Sequence, residues 1–372
     1  MMKILHIAQS PGGVERYISM LLSQIDRDKF ENALLCSYQF DKSHFESMTS
    51  EVIMLPMKRN IGFSDVKRLS QIRKIIKQVN PDVIYCHSSK AGAIGRFAAL
   101  GLHKKLVYNA HGWSFNMNGS KLMHYLYILV EFFLGLFTDR IVCISKSELN
   151  DARKLHIGSE NKLRLIYNGV NIEEIQEKLK TSECDRHHLR IPQDAFVVGM
   201  VGRISEQKAV DVFVKMAHCI KQKIPNSYFI IVGDGEMRVE IEKMITDYDL
   251  DDSFFISGWV DNVSAYMKLF DVGVLLSRWE GFGLALCEYM VARLPIVTTR
   301  VDAIPELILD GVNGILVERD DYQAAAKAVV NIYNNQELRT KFAYNGINIV
   351  NEKFNIIRTV EQHEKLFEEI KS

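Results

Sequence analysis

Apolar and polar positions follow two alternating rhythms along most of the chain. Short runs dense in Val, Ile and Leu read as buried strands: 3–8, 32–37, 52–56, 82–86, 105–109, 140–144 and 163–167, then 196–201, 228–232, 254–257, 272–276, 295–299 and 314–317. Between most of them, apolar residues recur three and four apart, as on a helix that buries one face. Strands that are apolar on both faces and separated by helices predict parallel sheets covered on both sides, hence an α/β chain. The rhythm breaks once, over 172–193, which is polar, charged and carries Pro192. The pattern therefore predicts two Rossmann-like domains, 1–171 and 194–353, with 172–193 as linker and a final helix in 354–372.

A length of 372 residues suits two domains with full cores. A formal net charge of +0 argues against a general nucleic-acid binder. The charge is unevenly spread: residues 1–180 hold 25 Lys and Arg against 17 Asp and Glu, a surplus of +8, so the remainder carries −8. The surplus suggests that the first domain meets something anionic, such as a membrane surface, although ordinary surface variation explains it equally well. The helical pattern 64–80 adds a basic face (Lys67, Arg68, Arg73, Lys74, Lys77) suited to solvent or to anionic lipid headgroups. Six cysteines without a Cys-x-x-Cys pair and a start lacking a long apolar leader indicate a cytosolic protein. The segment 122–137 is almost wholly apolar but shorter than the ~20 residues of a spanning helix. It is read as a buried domain helix, with an interfacial membrane helix as the alternative.

Ligands of open α/β sheets bind beyond the carboxyl ends of the strands, so the loops there are the places to look for chemistry. Gly12-Gly13 opens a helix after the first strand, and Gly233-Asp234-Gly235 follows another. Each is a tight turn that would let backbone N–H groups approach a phosphate, and neither matches the full dinucleotide fingerprint. Gly202 and Arg203 follow the strand 196–201, with Lys208 five residues beyond Arg203. A guanidinium beside an ammonium makes a clamp for a diphosphate. His111 and His87 each end a strand and compete for a sugar-contacting role. Asp249-Leu250-Asp251 has the Asp-x-Asp spacing of metal-dependent transferases but precedes a strand, the wrong end for ligand chemistry, so no essential metal is expected.

The most informative pair is Glu280 and Glu288, which bracket Gly281-Phe282-Gly283 between a strand and a helix. Eight helical residues would span roughly 12 Å. That exceeds the ~5–9.5 Å between the two carboxyls of a glycosidase. The pair suits a long ligand held by hydroxyls at both ends with a diphosphate between, and the helix N-terminus beside the glycines suits the phosphates.

Together these residues resemble the retaining glycosyltransferases of family four, with the GT-B fold, and bacterial capsule and exopolysaccharide enzymes in particular. The resemblance runs through Gly12-Gly13-Val14-Glu15, His111-Gly112, Ser145-Lys146, Asn168-Gly169-Val170, Gly202-Arg203 with Lys208, Gly233-Asp234-Gly235, Gly258-Trp259-Val260, Glu280-x7-Glu288 and Pro305-Glu306. It implies that Arg203 and Lys208 bind the donor diphosphate, Glu280 the donor-sugar hydroxyls and Glu288 the ribose. Gly13 and the backbone of Phe282, Gly283 and Leu284 would close on the phosphates, Trp259, Val260 and Asp261 would border the base, and His111 would touch the sugar near its reacting carbon. It also implies that the C-terminal helix packs back on the first domain. The sequence departs from the family at Arg293 and at Asp302-Ala303, where glycines are usual.

The expected activity is metal-independent transfer of a sugar, with retention, from a nucleotide sugar, by family frequency a UDP-sugar. The expected acceptor is a saccharide or polyprenyl-diphosphate-linked saccharide at the inner membrane face, with no cofactor. The alternatives are a catalytically silent nucleotide-sugar-binding subunit and a nucleotide-sugar epimerase of the same architecture.

Overall fold

The computed structural model describes residues 1–9, 12–57, 64–117 and 120–371, with side chains from Lys67 onward in the helix that starts at Ser64. It divides into two units, 1–169 with 356–372, and 170–355. In chain order the first unit contains β1 (Met2–Ile7), α1 (Gly13–Gln24), β2 (Phe30–Ser37), α2 (Lys42–Glu46), β3 (Glu51–Leu55), α3 (Ser64–Val79), β4 (Val83–His87), α4 (Ser89–Ala99), β5 (Lys105–Asn109), α5 (Lys121–Phe137), β6 (Arg140–Cys143), α6 (Lys146–Lys154) and β7 (Leu163–Leu165). The second contains α7 (Ile172–Thr181), β8 (Phe196–Val201), α8 (Val210–Lys221), β9 (Ser227–Val232), α9 (Arg238–Asp247), β10 (Phe254–Ile256), α10 (Ser264–Met267), β11 (Val272–Leu275), α11 (Leu284–Val291), β12 (Ile296–Thr299), α12 (Ile304–Leu307), β13 (Ile315–Val317), α13 (Tyr322–Asn334) and α14 (Gln336–Lys353). The last helix, α15 (Ile356–Lys371), returns to the first unit. Every strand expected from the pattern is present, with ends shifted by at most two residues.

Both sheets are parallel and doubly wound, ordered β3-β2-β1-β4-β5-β6-β7 and β10-β9-β8-β11-β12-β13. The strand order reverses between β1 and β4 in one sheet and between β8 and β11 in the other. Helices leaving to opposite sides of such a point open a crevice there. Buried Ile, Val and Leu from the strands pack against apolar stripes such as Ile72, Ile76 and Val79 of α3. The return helix α15 lies on α1. Its Phe367 meets Phe30 at 5.9 Å between ring centres, and Glu364 accepts the Asp26 backbone N–H at 2.7 Å.

Two expectations are corrected. The stretch 172–193 is not a free linker. Asn171 caps α7 by accepting the Glu174 N–H, α7 buries Ile172 and Ile175, and it packs on α10 and α11. Arg186 then ties the segment down through the carbonyls of Gln193 and Ala195 and through Asp271. Alternating charges at 173–180 mark the solvated face of a helix.

Nor is α5 a buried helix: only Glu131, Leu134 and Gly135 are buried along it, while Leu122, Tyr125, Leu126, Leu129, Phe132, Phe133, Leu136 and Phe137 are exposed. Its amphipathicity is inverted. Glu131 points inward, accepting from buried Arg96 at 2.7 Å and from the Tyr108 hydroxyl at 2.8 Å, while the Arg96 guanidinium lies 3.6 Å from the centre of the Tyr108 ring. A carboxylate buried with its countercharge anchors the helix and turns the apolar side outward. Among the described residues no helix is long and apolar enough to cross a membrane.

Of the three positions where the resemblance expects glycine, Arg293 at φ 57° and Asp302 at φ 41° fall in the left-handed region, while Ala303 is helical at φ −80°. Arg293 terminates α11. Its N–H bonds the Met290 carbonyl and the Leu294 N–H bonds that of Tyr289, the pattern that favours glycine. The turn forms in spite of the Cβ. Arg293 is exposed and its side chain makes no hydrogen bond or ion pair among the described residues, so Arg293→Gly is expected to raise the unfolding free energy by about 1 kcal/mol, read as a higher urea midpoint at unchanged slope.

Candidate functional site

Each unit carries a constellation at its own switch point. In the second unit, the loops after β8 and β11 are stitched together across the point where strand order reverses. Arg278 donates to Asp211 and to the Glu206 carbonyl, and its backbone N–H reaches the Gln207 carbonyl at 2.8 Å. Gln207 in turn donates to the Trp279 carbonyl at 3.1 Å. The stitching brings Lys208 Nζ into an ion pair with Glu280, whose carboxylate also accepts from the Ser277 hydroxyl at 3.2 Å. Glu280 is further fixed by its backbone N–H, which donates to Asp302 at 2.7 Å. The departure at Asp302 thus holds the loop that carries Glu280. Arg278 and Asp211 are not legible as site residues in the sequence, and Asp302 shows there only as a departure, because surface-type charges so far apart give no sign of meeting.

Around this pair lie the other predicted residues of the second unit. Arg203 is half-exposed and paired with Glu236 at 2.8 Å. The glycines after β9 serve close packing of backbone on backbone. A Cβ on Gly233 would lie 2.1 Å from the Gly202 carbonyl oxygen, and one on Gly235 would lie 2.2 Å from that of Ile204. The Gly258 turn pairs with Gly233 in a short bridge, which brings Trp259, Val260 and Asp261 to the carboxyl end of the sheet, with Trp259 70 % exposed. Gly283, at φ 97°, starts α11. Phe282 is buried, Leu284 is the first residue of α11, and Glu288 lies one turn inside at 1 % exposure. The helical rise therefore applies only from Leu284 to Glu288, about 6 Å, not to all eight residues. Asp249 and Asp251 lie between α9 and β10, at the amino end of the strand.

The first unit holds a hydrogen-bonded chain that runs from Asn32 of β2 through buried His6 of β1 and His87 of β4 to half-buried His111 in the loop after β5. His6 Nε2 is 3.1 Å from Asn32 Oδ1, His6 Nδ1 is 3.1 Å from His87 Nε2, and His87 Nδ1 is 3.1 Å from His111 Nε2. His87 and His111, read as rivals, are neighbours in one array. His6 was missed because a lone histidine in an apolar strand shows no partner in sequence. His111 sits at φ 53°, held by its N–H to Asn109 Oδ1 at 2.9 Å and braced by the edge of Tyr17 with ring centres 4.6 Å apart. A non-glycine residue in that conformation, fixed from several sides, is typical of functional positions. From α15, His363 Nε2 meets the hydroxyls of Tyr17 and Tyr85 at 2.8 and 2.9 Å, and its Nδ1 lies 2.7 Å from the Thr359 carbonyl. Gly12 at φ 87° starts α1, and its N–H reaches the Glu15 carboxylate at 3.4 Å. Gly13 has no need of glycine within the unit, since a Cβ there would meet nothing within 4 Å among the described residues.

Comparison with known proteins decides the family. A family model described as Glycosyltransferase Family 4 matches residues 11–174, and one described as Glycosyl transferases group 1 matches 182–349. An uncharacterised 41.2 kDa protein of the Klebsiella pneumoniae cps region is 32 % identical over 86 % of this chain and 87 % of its own. The chain belongs to the family-four glycosyltransferases. This glycosyltransferase is also 28 % identical to an Escherichia coli UDP-Gal:α-D-GlcNAc-diphosphoundecaprenol α-1,3-galactosyltransferase, over 98 % of the chain and 96 % of that protein. Its fold is that of Anabaena HepE crystallised with UDP and glucose, with a TM-score of 0.85 at 22 % identity over 99 % of this chain and 100 % of that one. The GT-B architecture of two doubly wound units is thereby shown.

Burial lowers the pKa of His6 and His363 to about 4 and that of His111 to about 3, and holds that of His87 well below its ordinary value, so all four rings are neutral in the folded glycosyltransferase at neutral pH. Unfolded histidines titrate near 6.5. Below that pH the unfolded chain binds protons that the folded chain refuses. Stability should thus be level above pH ~6.5 and fall from there towards pH ~4, by up to about 1.4 kcal/mol per pH unit for each histidine kept neutral. Urea unfolding at several pH values across this window measures the slope.

Proposed function

We propose that this enzyme transfers a sugar, with retention and without a metal, from a UDP-sugar to a lipid-linked saccharide in bacterial surface-polysaccharide synthesis. The observation that carries the reading is the Lys208–Glu280 pair at the switch point of the second sheet. A diphosphate placed there would draw the ammonium of Lys208, leaving Glu280 to accept from the hydroxyls of the attached sugar. Arg203, half-exposed on the neighbouring loop, would exchange Glu236 for phosphate oxygens. Buried Glu288 would take the ribose, the Gly283 turn with Phe282 and Leu284 would offer N–H groups to the phosphates, and exposed Trp259 would flank the base. Glycine at position 13, which packing does not demand, leaves room for a phosphate at the start of α1.

As the bond from the anomeric carbon to the phosphate oxygen breaks, negative charge grows on the leaving diphosphate. Fixed cations stabilise that charge more in the transition state than before it. The acceptor oxygen bonds the same face of the carbon, and its proton passes to the departing phosphate oxygen. The E. coli relative, named for UDP-galactose and a diphosphoundecaprenol acceptor, supports the choice of donor and acceptor. The outward apolar face of α5 supports a membrane-borne acceptor, since it can enter the interface while exposed Lys67, Lys74 and Lys77 of α3, two helices away, attract anionic headgroups.

Lys208→Ala and Arg203→Ala should each lower kcat by roughly 100-fold in a transfer assay with UDP-sugars and extracted lipid acceptors. Near-native rates in both would end the leaving-group assignment. In flotation assays the wild type should rise with anionic vesicles, and Leu126→Glu with Leu129→Glu should stay at the bottom. Equal behaviour of the two proteins would remove α5 from the membrane contact.

A further inference from the structure

The hydrogen bonds of the first unit fix which nitrogen of each histidine carries its proton. The starting point is Asn32. Its amide nitrogen donates to the Phe30 carbonyl at 3.2 Å, so its Oδ1 must be the atom that faces His6 Nε2. A carbonyl oxygen only accepts, so His6 carries its proton on Nε2 and offers a lone pair on Nδ1. That lone pair lies 3.1 Å from His87 Nε2, which must therefore donate. His87 Nδ1 is then a lone pair, and His111 Nε2, 3.1 Å away, donates to it. A neutral imidazole has one N–H, and burial keeps all three rings neutral. The reversed chain would set two lone pairs against each other at Asn32 Oδ1. Each link leaves one choice, and the choices end at His111, whose Nδ1 has no partner among the described residues.

We infer that Asn32, His6 and His87 form a positioning relay that locks His111 with Nε2–H inward and presents its Nδ1 lone pair as a hydrogen-bond acceptor at the switch point of the first sheet. A group recognised there must supply the proton: a sugar hydroxyl or an amide N–H fits, whereas a carboxylate or phosphate oxygen meets lone pair with lone pair. His111 is accordingly an acceptor, not a proton donor to the leaving group. The role toward sugar rests on the function proposed above; the tautomer does not. The outer ring is braced by Tyr17, itself bonded to His363, so the ring plane and the proton are fixed by separate contacts.

Imidazole 15N spectra of the full-length, histidine-labelled protein at neutral pH test the relay. His6, His87 and His111 are expected to show protonated Nε2 and unprotonated Nδ1. In Asn32→Leu the His111 pattern is expected to shift towards a tautomer average, although Asn32 lies two rings away. A protonated Nδ1 on His111 in the wild type, or a His111 pattern indifferent to Asn32→Leu in a folded variant, overturns the inference. In transfer assays His87→Leu should lower kcat roughly tenfold with little change in KM for UDP-sugar. His87→Asn, whose Oδ1 can still accept from His111, should recover most of the loss. Equal rates in the two variants argue against the relay. If no sugar is transferred by any form, the proposed activity fails while the spectra still decide the tautomer.

Discussion

Both constellations depend on one constraint: in a doubly wound parallel sheet the strand order must reverse, and where it does two strand ends stand side by side with their helices leaving in opposite directions. The reversal sets the loop after β8 against the loop after β11, and β1 against β4. Lys208 and Glu280, or His6 and His87, would not meet in a sheet that wound one way only. The side chains then refine what the topology supplies. Arg278 and Asp302 hold the two loops of the second unit in register, while Asn32, Tyr17 and His363 do so for the imidazoles of the first.

The two sites are built by different means because their charges differ. In the second unit, opposite charges meet in an ion pair, Lys208 with largely buried Glu280. In the first, titratable rings are buried without a counterion. They remain neutral and satisfy one another in a directional chain.

Much of this was legible in the sequence because parallel strands buried on both faces leave continuous apolar runs, and the loops after them carry glycines and charges that packing alone does not explain. The misreadings share a cause. Orientation is invisible where a segment has no clean polar face. The run 122–137 is apolar nearly all round, so nothing in its pattern says that Glu131 faces Arg96 while the leucines face out. The polar stretch 172–193 reads as a linker because its buried residues, Ile172, Ile175 and Ile191, are few. His6 lies in a mostly apolar strand, and its hydrogen-bond partners come from two other strands. The spacing of eight from Glu280 to Glu288 reads as helical, yet its first half is the turn that ends at Gly283.

The chain leaves the first unit after Gly169 and re-enters it only at Ile356, so the whole of the second unit is inserted into the first. During synthesis the inserted unit is therefore complete before its host. Until α15 emerges, the hydroxyls of Tyr17 and Tyr85 lack the imidazole of His363, and α1 lacks its cover. The nascent first unit must wait with an unsealed flank until α15 docks on α1.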